Sequence, residues 1–361
     1  MNRAIKPLLC LTLLSALAGP VGAQGAKDTP APIDLRNVTI NIGQNNGEIE
    51  PLWKASGVFD GTPYKIQWSS FNNALDNYTA LAAGRIDVSS SSLSTAAQLQ
   101  QASAEPWTAK TSPIKILVIR VSDYPGSLDR YVLLAGSKSG ITTFTPDSIR
   151  GKRIAYSPGG NNALVFYAAL QKLGLTMKDV QPVQLDTTAN SLALLNNQVD
   201  IVSGSIDLYG PALSSGAKII ESSKVLGLPI QSGVLANAKS LADPAKAAAI
   251  ADIVKRYIAF ENWFTTHPKE AVAAYMTGRN FRQGQAETAW KYGRVLVQPV
   301  SKETIAEAQS VSDLLLKFGL FTKNTDASVL FDDRLSKMVE QTLTDMKFKS
   351  NLATSMATPF P

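Results

Sequence analysis

Cysteine and histidine are almost missing from this chain of 361 residues: it has one of each, Cys10 and His267. Cys10 lies in a leader-like segment. If that segment is removed, the remaining chain has no thiol, which excludes disulfides, thiolate nucleophiles and cysteine-ligated metal sites together. A single histidine leaves a Ser–His–Asp triad dependent on His267 and falls short of a histidine-based zinc site. His267 sits in Thr266-His267-Pro268, where proline suits a first helical turn, so it reads as a structural or surface residue. A Lys/Arg cluster interleaved with aromatics is also missing, and with it the footprint of a nucleic-acid binder. After the leader there is no long apolar run, and so no expected membrane span.

The leader is residues 1–23. Arg3 and Lys6 make a charged start, Pro7–Leu17 an apolar run too short to cross a bilayer, and Val21-Gly22-Ala23 a small-residue cleavage site. Pro20 stands where a lipoprotein would need its modified cysteine. The expectation is a soluble, exported, periplasmic protein without a lipid anchor. The chain has 35 Lys plus Arg and 29 Asp plus Glu. Without Arg3 and Lys6 the excess is +4, a mild bias toward anionic small ligands.

Residues 148–211 organise the rest. They read as strand Lys152–Tyr156, loop Ser157–Asn162, helix Ala163–Leu173, strand Val183–Leu185, loop Asp186–Ala189, helix Ser191–Asn196, strand Val199–Val202 and loop Ser203–Gly210. The same order occurs earlier, over residues 38–102, with strands Val38–Ile42, Tyr64–Trp68 and Ile86–Val88 and the loops Gly43–Gly47, Ser69–Asn73 and Ser89–Ser92. Ala80–Val88 matches Ala193–Ile201, each running from helix end through a turn to an apolar residue, Asp and a strand. Two such copies imply two similar α/β lobes with parallel strands. Between the copies Ile114–Val121 and Tyr131–Ala135 read as strands, and after the second copy Lys218–Ile220 and Ile230–Ala236 as short β-like runs, so the chain is expected to leave lobe one near 130–140 and return near 222–235, two crossings that form a hinge. From Asp243-Pro244 the pattern is helical. Met346–Pro361 has little periodicity and reads as a surface tail. The domain reading is a signal peptide (1–23), lobe one (36–132), lobe two (133–225), the return of lobe one with its C-terminal helices (226–345) and the tail (346–361).

In open parallel sheets a ligand sits beyond the carboxyl ends of the strands, where helix N-termini offer free N–H groups to an anion. The candidate ligand-binding residues follow from the strand-end loops. They are Gln44, Asn45 and Asn46; Phe71 and Asn72; Ser90, Ser91 and Ser92; Pro158, Gly159, Gly160, Asn161 and Asn162; and Thr187 and Thr188. Arg120, ending an apolar strand, and Arg130, near the crossing, could each clamp a carboxylate or sulfonate, or form a salt bridge. Asp207, with Tyr209 nearby, could meet a ligand amine, accept from a neighbouring loop or cap a helix. The Pro158-Gly159-Gly160 turn is neither a P-loop nor GxGxxG, so no nucleotide is implied. No metal or other cofactor is called for.

With these residues in view, the chain resembles the periplasmic substrate-binding proteins of the nitrate, sulfonate and taurine class, relatives of the thiamine-precursor-binding proteins. The matching stretches are Leu81-x-x-Gly84-x-Ile86-Asp87-Val88, Ser148-Ile149-Arg150-Gly151-Lys152-Arg153-Ile154-Ala155, Leu170-x-x-Leu173-Gly174-Leu175-x-x-x-Asp179-Val180 and Val199-Asp200. Asn262-Trp263-Phe264 before His267-Pro268-Lys269-Glu270-Ala271, and Val300-Ser301 through Phe318-Gly319-Leu320, also fit. The resemblance implies an α/β fold of the type II periplasmic binding protein kind: two lobes on a two-crossing hinge, with a C-terminal helical extension packed on lobe one. It implies a monomer that delivers a small anionic solute to the permease of an ABC transporter.

Two departures bear on the ligand. Where the family often has Trp-Asp-Pro-Tyr, this chain has Ile206-Asp207-Leu208-Tyr209. Where it often has Gly-Asp in lobe one, this chain has Ser91-Ser92, with no acidic group for an amine, which favours a plain or aromatic organic anion. A rival is an enzyme on the same scaffold, such as the aromatic sulfinate desulfinases; their chemistry uses a cysteine after the first strand, where this chain has Gln44-Asn45-Asn46. A sensory role with the same lobes is equally compatible.

Overall fold

The computed structural model describes residues 33–358 and Phe360; the leader reading of residues 1–23 lies outside them. In chain order the elements begin β1 (Thr39–Asn45), α1 (Glu50–Ser56), β2 (Lys65–Phe71), α2 (Ala74–Ala82), β3 (Val88–Ser92), α3 (Leu93–Ala102) and β4 (Ile114–Val121). Then come β5 (Tyr131–Ala135), α4 (Pro146–Ile149), β6 (Arg153–Tyr156), α5 (Gly160–Lys172), β7 (Gln181–Gln184), α6 (Thr187–Leu195), β8 (Ile201–Ser205), α7 (Gly210–Ser214) and β9 (Lys218–Ser222). The chain closes with β10 (Gln231–Asn237), α8 (Ala238–Ala242), α9 (Pro244–Thr266), α10 (Pro268–Arg279), α11 (Gln283–Gly293), β11 (Leu296–Pro299), α12 (Lys302–Lys317), α13 (Ser336–Asp345) and α14 (Phe348–Ala357).

The strands form two sheets, ordered β11-β4-β10-β3-β1-β2 and β7-β6-β8-β5-β9. Each contains a parallel trio, β2-β1-β3 and β7-β6-β8, built from the duplicated unit. Alternating α and β elements with apolar strands give this layered arrangement because each sheet must bury both faces under helices. Antiparallel strands complete the sheets: β10 beside β3, and β5 beside β8.

The duplication has a chemical signature. Asp87 and Asp200 occupy equivalent places, and each reaches back to the first strand of its trio. The Asp87 carboxylate accepts from the backbone N–H of Asn41 at 2.8 Å; that of Asp200 accepts from Arg153 at 2.9 Å. Each aspartate also donates its own N–H to the same residue's carbonyl. The acid therefore closes the strand edge where β3 and β8 begin, and satisfies a backbone donor that the ladder leaves open. The alignment that sets Ala80 on Ala193 also sets Asn77 on Asn190. Both are fully buried and both tie a second helix to the end of the first strand, Asn77 donating to the Asn45 side chain at 3.0 Å and Asn190 to the Ser157 hydroxyl at 3.0 Å.

Several features differ from the sequence reading. Gly43–Asn45 and Ser69–Phe71, read as loop, belong to strands β1 and β2, and Gly160–Asn162 and Thr187–Ala189, read as loop, open helices α5 and α6. The Ser89–Ser92 and Ser203–Ser205 segments are strand, not loop. Antiparallel partners from distant sequence extend them: Leu235 to Ser232 pair with Ser89 to Ser92, and Leu133 to Tyr131 with Ser203 to Ser205. Consequently α3 starts directly at Leu93. The C-terminal segment is also not a tail. Residues Phe348–Ala357 form α14, whose Phe348 and Leu352, one turn apart, are buried in the first core, and Asn351 donates to the Asn262 side chain at 2.9 Å.

The crossings run through 122–130 and 223–230 and are bound to each other and to the sheets: Ser122 N–H donates to the Ile230 carbonyl at 3.1 Å and Ser223 N–H to the Tyr131 carbonyl at 2.9 Å. Helices α9, α10, α11, α13 and α14 bury their apolar faces with the first sheet. Helix α12 does something else. Its Val311 and Leu315 join Ala97 of α3 and Leu164, Val165 and Ala168 of α5 in one apolar cluster, so it packs across both halves. Among the described residues no helix is long and apolar enough to cross a membrane.

Candidate functional site

Between the two sheets lies a cleft of about 360 Å³, within the range of small-molecule sites. The strand-end segments of both halves line it. From the first come Asn45, Asn46, Ser90, Ser91, Ser92 and Arg120; from the second, Pro158, Gly159, Gly160, Asn161, Asn162, Thr187, Thr188 and Asp207. Gln44, Phe71 and Asn72 are not among the lining residues.

Gln44 is displaced from the cleft for a clear reason. It is fully buried, and its side-chain oxygen accepts from the N–H groups of Ile49 and Glu50 at 2.9 and 3.0 Å. Helix α1 has no side-chain cap from its own N-cap residue, so Gln44 supplies it from the end of β1. That fixes the loop carrying Asn46, whose φ is 50°, and Glu48.

The wall from the first half is a chain of short polar groups. Ser89 donates to the Asn77 side chain at 3.0 Å, Asn77 to Asn45 at 3.0 Å, and Asn45 to the Ser91 hydroxyl at 3.1 Å. Buried amides satisfied in this way hold the rotamers of Asn45 and Ser91 at the cleft surface. On the facing side, the Asn162 side chain makes no hydrogen bond among the described residues, while its carbonyl accepts from Ser203 at 2.7 Å. Thr187 lies 3.3 Å from Ser157, hydroxyl to hydroxyl.

Gly159 and Gly160 have a role the sequence did not indicate. Both adopt left-handed φ, 72° and 73°, which only glycine takes without strain. A Cβ on Gly159 would lie 3.2 Å from the Gln98 side chain, and one on Gly160 would be 3.9 Å from Ala74 and Ser92. These glycines let the second half approach the first. Ser92 donates to the Asn161 side chain at 2.7 Å and so bridges the halves beside the cleft.

Charged groups converge on the floor. Arg120 at the end of β4 and Glu261 of α9 form an ion pair, Nε to Oε1 2.9 Å, with Glu261 2% exposed. The contact is off the line of the N–H bond, so the attraction is Coulombic. Burial works against the charge of Arg120, but Glu261, then Tyr257, more than offset it and leave its pKa raised. Arg130 donates to Ser205 at 3.1 Å and lies 3.8 Å from the Asp207 carboxylate, which in turn accepts from Ser205. Burial opposes the Arg130 charge too, and Tyr131 and Asp207 outweigh it, so this guanidinium is held firmly protonated. Asp207 is therefore committed to an internal network. Tyr209 is fully buried, packed on Gly204 and away from the cleft lining.

Two charged lining residues were missed from sequence, Glu48 and Arg279. Arg279 ends α10 and its guanidinium lies 4.9 Å from the ring centre of Phe281. No local signal marked it, because α10 is far away in sequence. Glu48 sits in the loop after β1, two residues beyond Asn46, and the strand-end rule reached almost to it. A side cavity of about 80 Å³ opens beneath, walled by Trp53, Tyr257, Phe260 and Tyr275 and shared with Glu48, Arg120 and Arg279.

Among the described residues no group of three or more His, Cys, Asp and Glu side chains could hold a metal ion. His267 is exposed and stacks on Trp263, centroids 5.9 Å apart, outside the cleft lining.

Residues 129–271 match the family described as NMT1/THI5 like. No curated protein matches the chain in sequence. Solved structures share the fold. The alkanesulfonate-binding protein SsuA from Xanthomonas axonopodis pv. citri, bound to MOPS, is similar with a TM-score of 0.69 at 19% identity, over 81% of this chain and 98% of that one. The periplasmic aliphatic sulphonate binding protein SsuA from Escherichia coli gives 0.64 at 19% identity, over 81% and 91%. A mutant of DSZB in complex with biphenyl-2-sulfinic acid gives 0.59 at 13% identity, over 86% and 100%. The chain thus has the periplasmic-binding-protein fold, which sulfonate-binding proteins and a desulfurization enzyme share.

Proposed function

We propose that this protein is the solute-binding component of an ABC import system, capturing a small organic acid, sulfonate-like or an aromatic carboxylate or sulfonate, between its two halves. The observation that carries this reading is the cleft itself: matching strand-end segments of a duplicated unit deliver uncommitted hydroxyl and amide groups, with helix N-termini behind them, to one volume of about 360 Å³. Ser91 and Asn162 face it from opposite halves, and Asn46, Thr187 and Thr188 add donors. Shielding the acid from water strengthens each of these contacts. The hinge is the pair of crossings, 122–130 and 223–230; the lobes are those read from sequence, 36–132, 133–225 and 226–345, except that Tyr131 and Val132, in β5 of the second sheet, go with lobe two. A delivery protein needs only binding and release, so we assign it no catalysis, an exported periplasmic location, a monomeric state and a permease partner.

An enzyme on the same scaffold is the second reading, and the DSZB similarity favours keeping it. Against it stands the single cysteine, Cys10, which precedes β1 and leaves Gln44-Asn45-Asn46 at the end of that strand. A thermal-shift screen of alkanesulfonates, aromatic carboxylates and sulfonates, nitrate and pyrimidines separates the two. A ligand that binds only the native state raises the melting temperature with concentration. An organic acid that does so and is recovered unchanged supports the binding protein; a hit that is turned over supports the enzyme.

A further inference from the structure

The charges beneath the cleft balance before any ligand enters. Three guanidiniums, Arg120, Arg130 and Arg279, and three carboxylates, Glu48, Asp207 and Glu261, line the side cavity that opens off it. Arg120 is matched by Glu261, and Arg130 by Asp207, which also accepts from Ser205. Glu48 and Arg279 complete the balance, yet among the described residues neither side chain makes a hydrogen bond or an ion pair, and both also line the cleft. The other titratable groups near Glu48 are committed. Burial raises the phenols of Tyr257 and Tyr275 and keeps them neutral. Glu50, at the start of α1, meets the Gln44 amide at 3.3 Å and Lys54 at 2.6 Å. The backbone under Glu48 is fixed, its N–H donating to the Asn45 carbonyl at 3.1 Å and that of Asn46 to the Phe71 carbonyl at 2.8 Å.

An anion arriving in the cleft upsets this balance. It brings one negative charge more than the guanidiniums neutralise, next to a cavity walled by Trp53, Phe260 and Phe264, where like charges are poorly screened. The surplus is removed most readily by protonating a carboxylate that has no bond to lose. Asp207 would forfeit Arg130 and Ser205, and Glu261 would forfeit Arg120; Glu48 forfeits neither a hydrogen bond nor an ion pair. Burial already lifts the Glu48 carboxyl above its usual range, and Arg279, then Arg130, only partly draw it back.

We infer that the cleft takes up one proton from solvent with each anion it binds, and that Glu48 carries this proton. This rests on the organic-acid reading above and adds a regulation to it. Because binding and protonation favour one another, capture tightens as the surroundings turn acidic and loosens as they turn alkaline.

Calorimetry with ethanesulfonate, benzenesulfonate and benzoate tests this, at pH values from about 6 to about 8.5, where all three acids keep a constant charge. For an acid that binds, affinity should fall as pH rises, approaching about tenfold per pH unit where Glu48 titrates, the slope of a single linked proton. Repeating the titration in phosphate and in Tris, whose ionisation heats differ, counts the protons taken up, and the count should approach one. Glu48→Gln should bind at high pH about as tightly as the unaltered protein does at low pH, with a flat profile and no proton uptake. The ligand-free protein gives a second readout. A carboxyl raised in the fold contributes stability below its unfolded value that is lost as pH rises through its folded one, so Glu48→Gln should leave the melting temperature unchanged near about pH 4 and raise it at about pH 8. Binding with a pH-independent affinity, or a pH dependence and proton uptake that survive Glu48→Gln, overturns the inference and leaves the organic-acid reading standing. If none of the three acids binds at any pH, the organic-acid reading fails, and this inference with it.

Discussion

Replacing Glu261 by glutamine should weaken the fold and strengthen anion binding at the same time. Glu261 is 2% exposed, and the Arg120 side chain, 2.9 Å away, is 21% exposed. At that distance the Coulomb attraction is about 6 kcal/mol for an effective dielectric constant of about 20. Desolvation of both ions offsets much of it. Glutamine keeps the volume but leaves the Arg120 guanidinium without a countercharge, a situation that costs about 3–5 kcal/mol when both partners are deeply buried. Because Arg120 retains contact with the cleft, and water can partly solvate it, about 2–4 kcal/mol is expected here. Urea unfolding reads this loss in the transition midpoint at an unchanged slope. The freed guanidinium lines the cleft, so a bound sulfonate or carboxylate should gain affinity by calorimetry, and the melting temperature should recover more on ligand addition than in the unaltered protein. A stability change below about 0.5 kcal/mol, within the usual range for surface substitutions, or a loss of anion affinity, would refute the assignment of this pair as a buried counterion arrangement beneath the site.

Other expectations follow from the same contacts. Asp87→Ala should destabilise by about 3–5 kcal/mol, because it strands donors from Asn41, Ser240 and Lys246 at a buried site; Asp200→Ala should cost less, about 1–2 kcal/mol, since the Asp200 side chain is itself more exposed, 20% against 9% for Asp87, and urea midpoints that reverse this order would contradict the burial argument. The Asp200 carboxyl lies below its usual value of 3.8, chiefly through its hydrogen bonds with the Arg153 side chain. A lowered folded pKa gives stability that is present above about pH 4 and lost as pH falls through the folded value, so Asp200→Asn should flatten the acid limb of the stability profile. Phe348→Ala should cost about 3 kcal/mol by opening a cavity under α14, and an unchanged melting temperature would return that segment to a surface tail.

Much of the scaffold was legible because the duplication writes local rules twice. Ala80–Val88 and Ala193–Ile201 share helix end, turn, Asp and strand because Asp87 and Asp200 do the same work on a strand edge. Extending that match upstream would also have found Asn77 and Asn190. What sequence could not show came from remote partners. β10 turns Ser89–Ser92 into strand, and Gln44 leaves the cleft to cap α1. Phe71 and Asn72 lie on the right strand end but outside the cleft lining, and Arg279 arrives from a helix in the C-terminal third. The strand-end rule found the segments that surround the cleft; deciding which side chains were already committed to one another required the packed structure.

The most direct test of the account is a calorimetric titration of the organic acid that gives the largest thermal shift, against the unaltered protein and the Ser91→Ala/Asn162→Ala double variant. These two residues face the cleft from opposite halves, and the Asn162 side chain has no other hydrogen-bonding partner among the described residues. The prediction is one ligand per chain and a loss of about tenfold or more in the double variant, from two lost hydrogen bonds to a charged ligand. Full affinity in the double variant, or conversion of the ligand into a product during the titration, would contradict it.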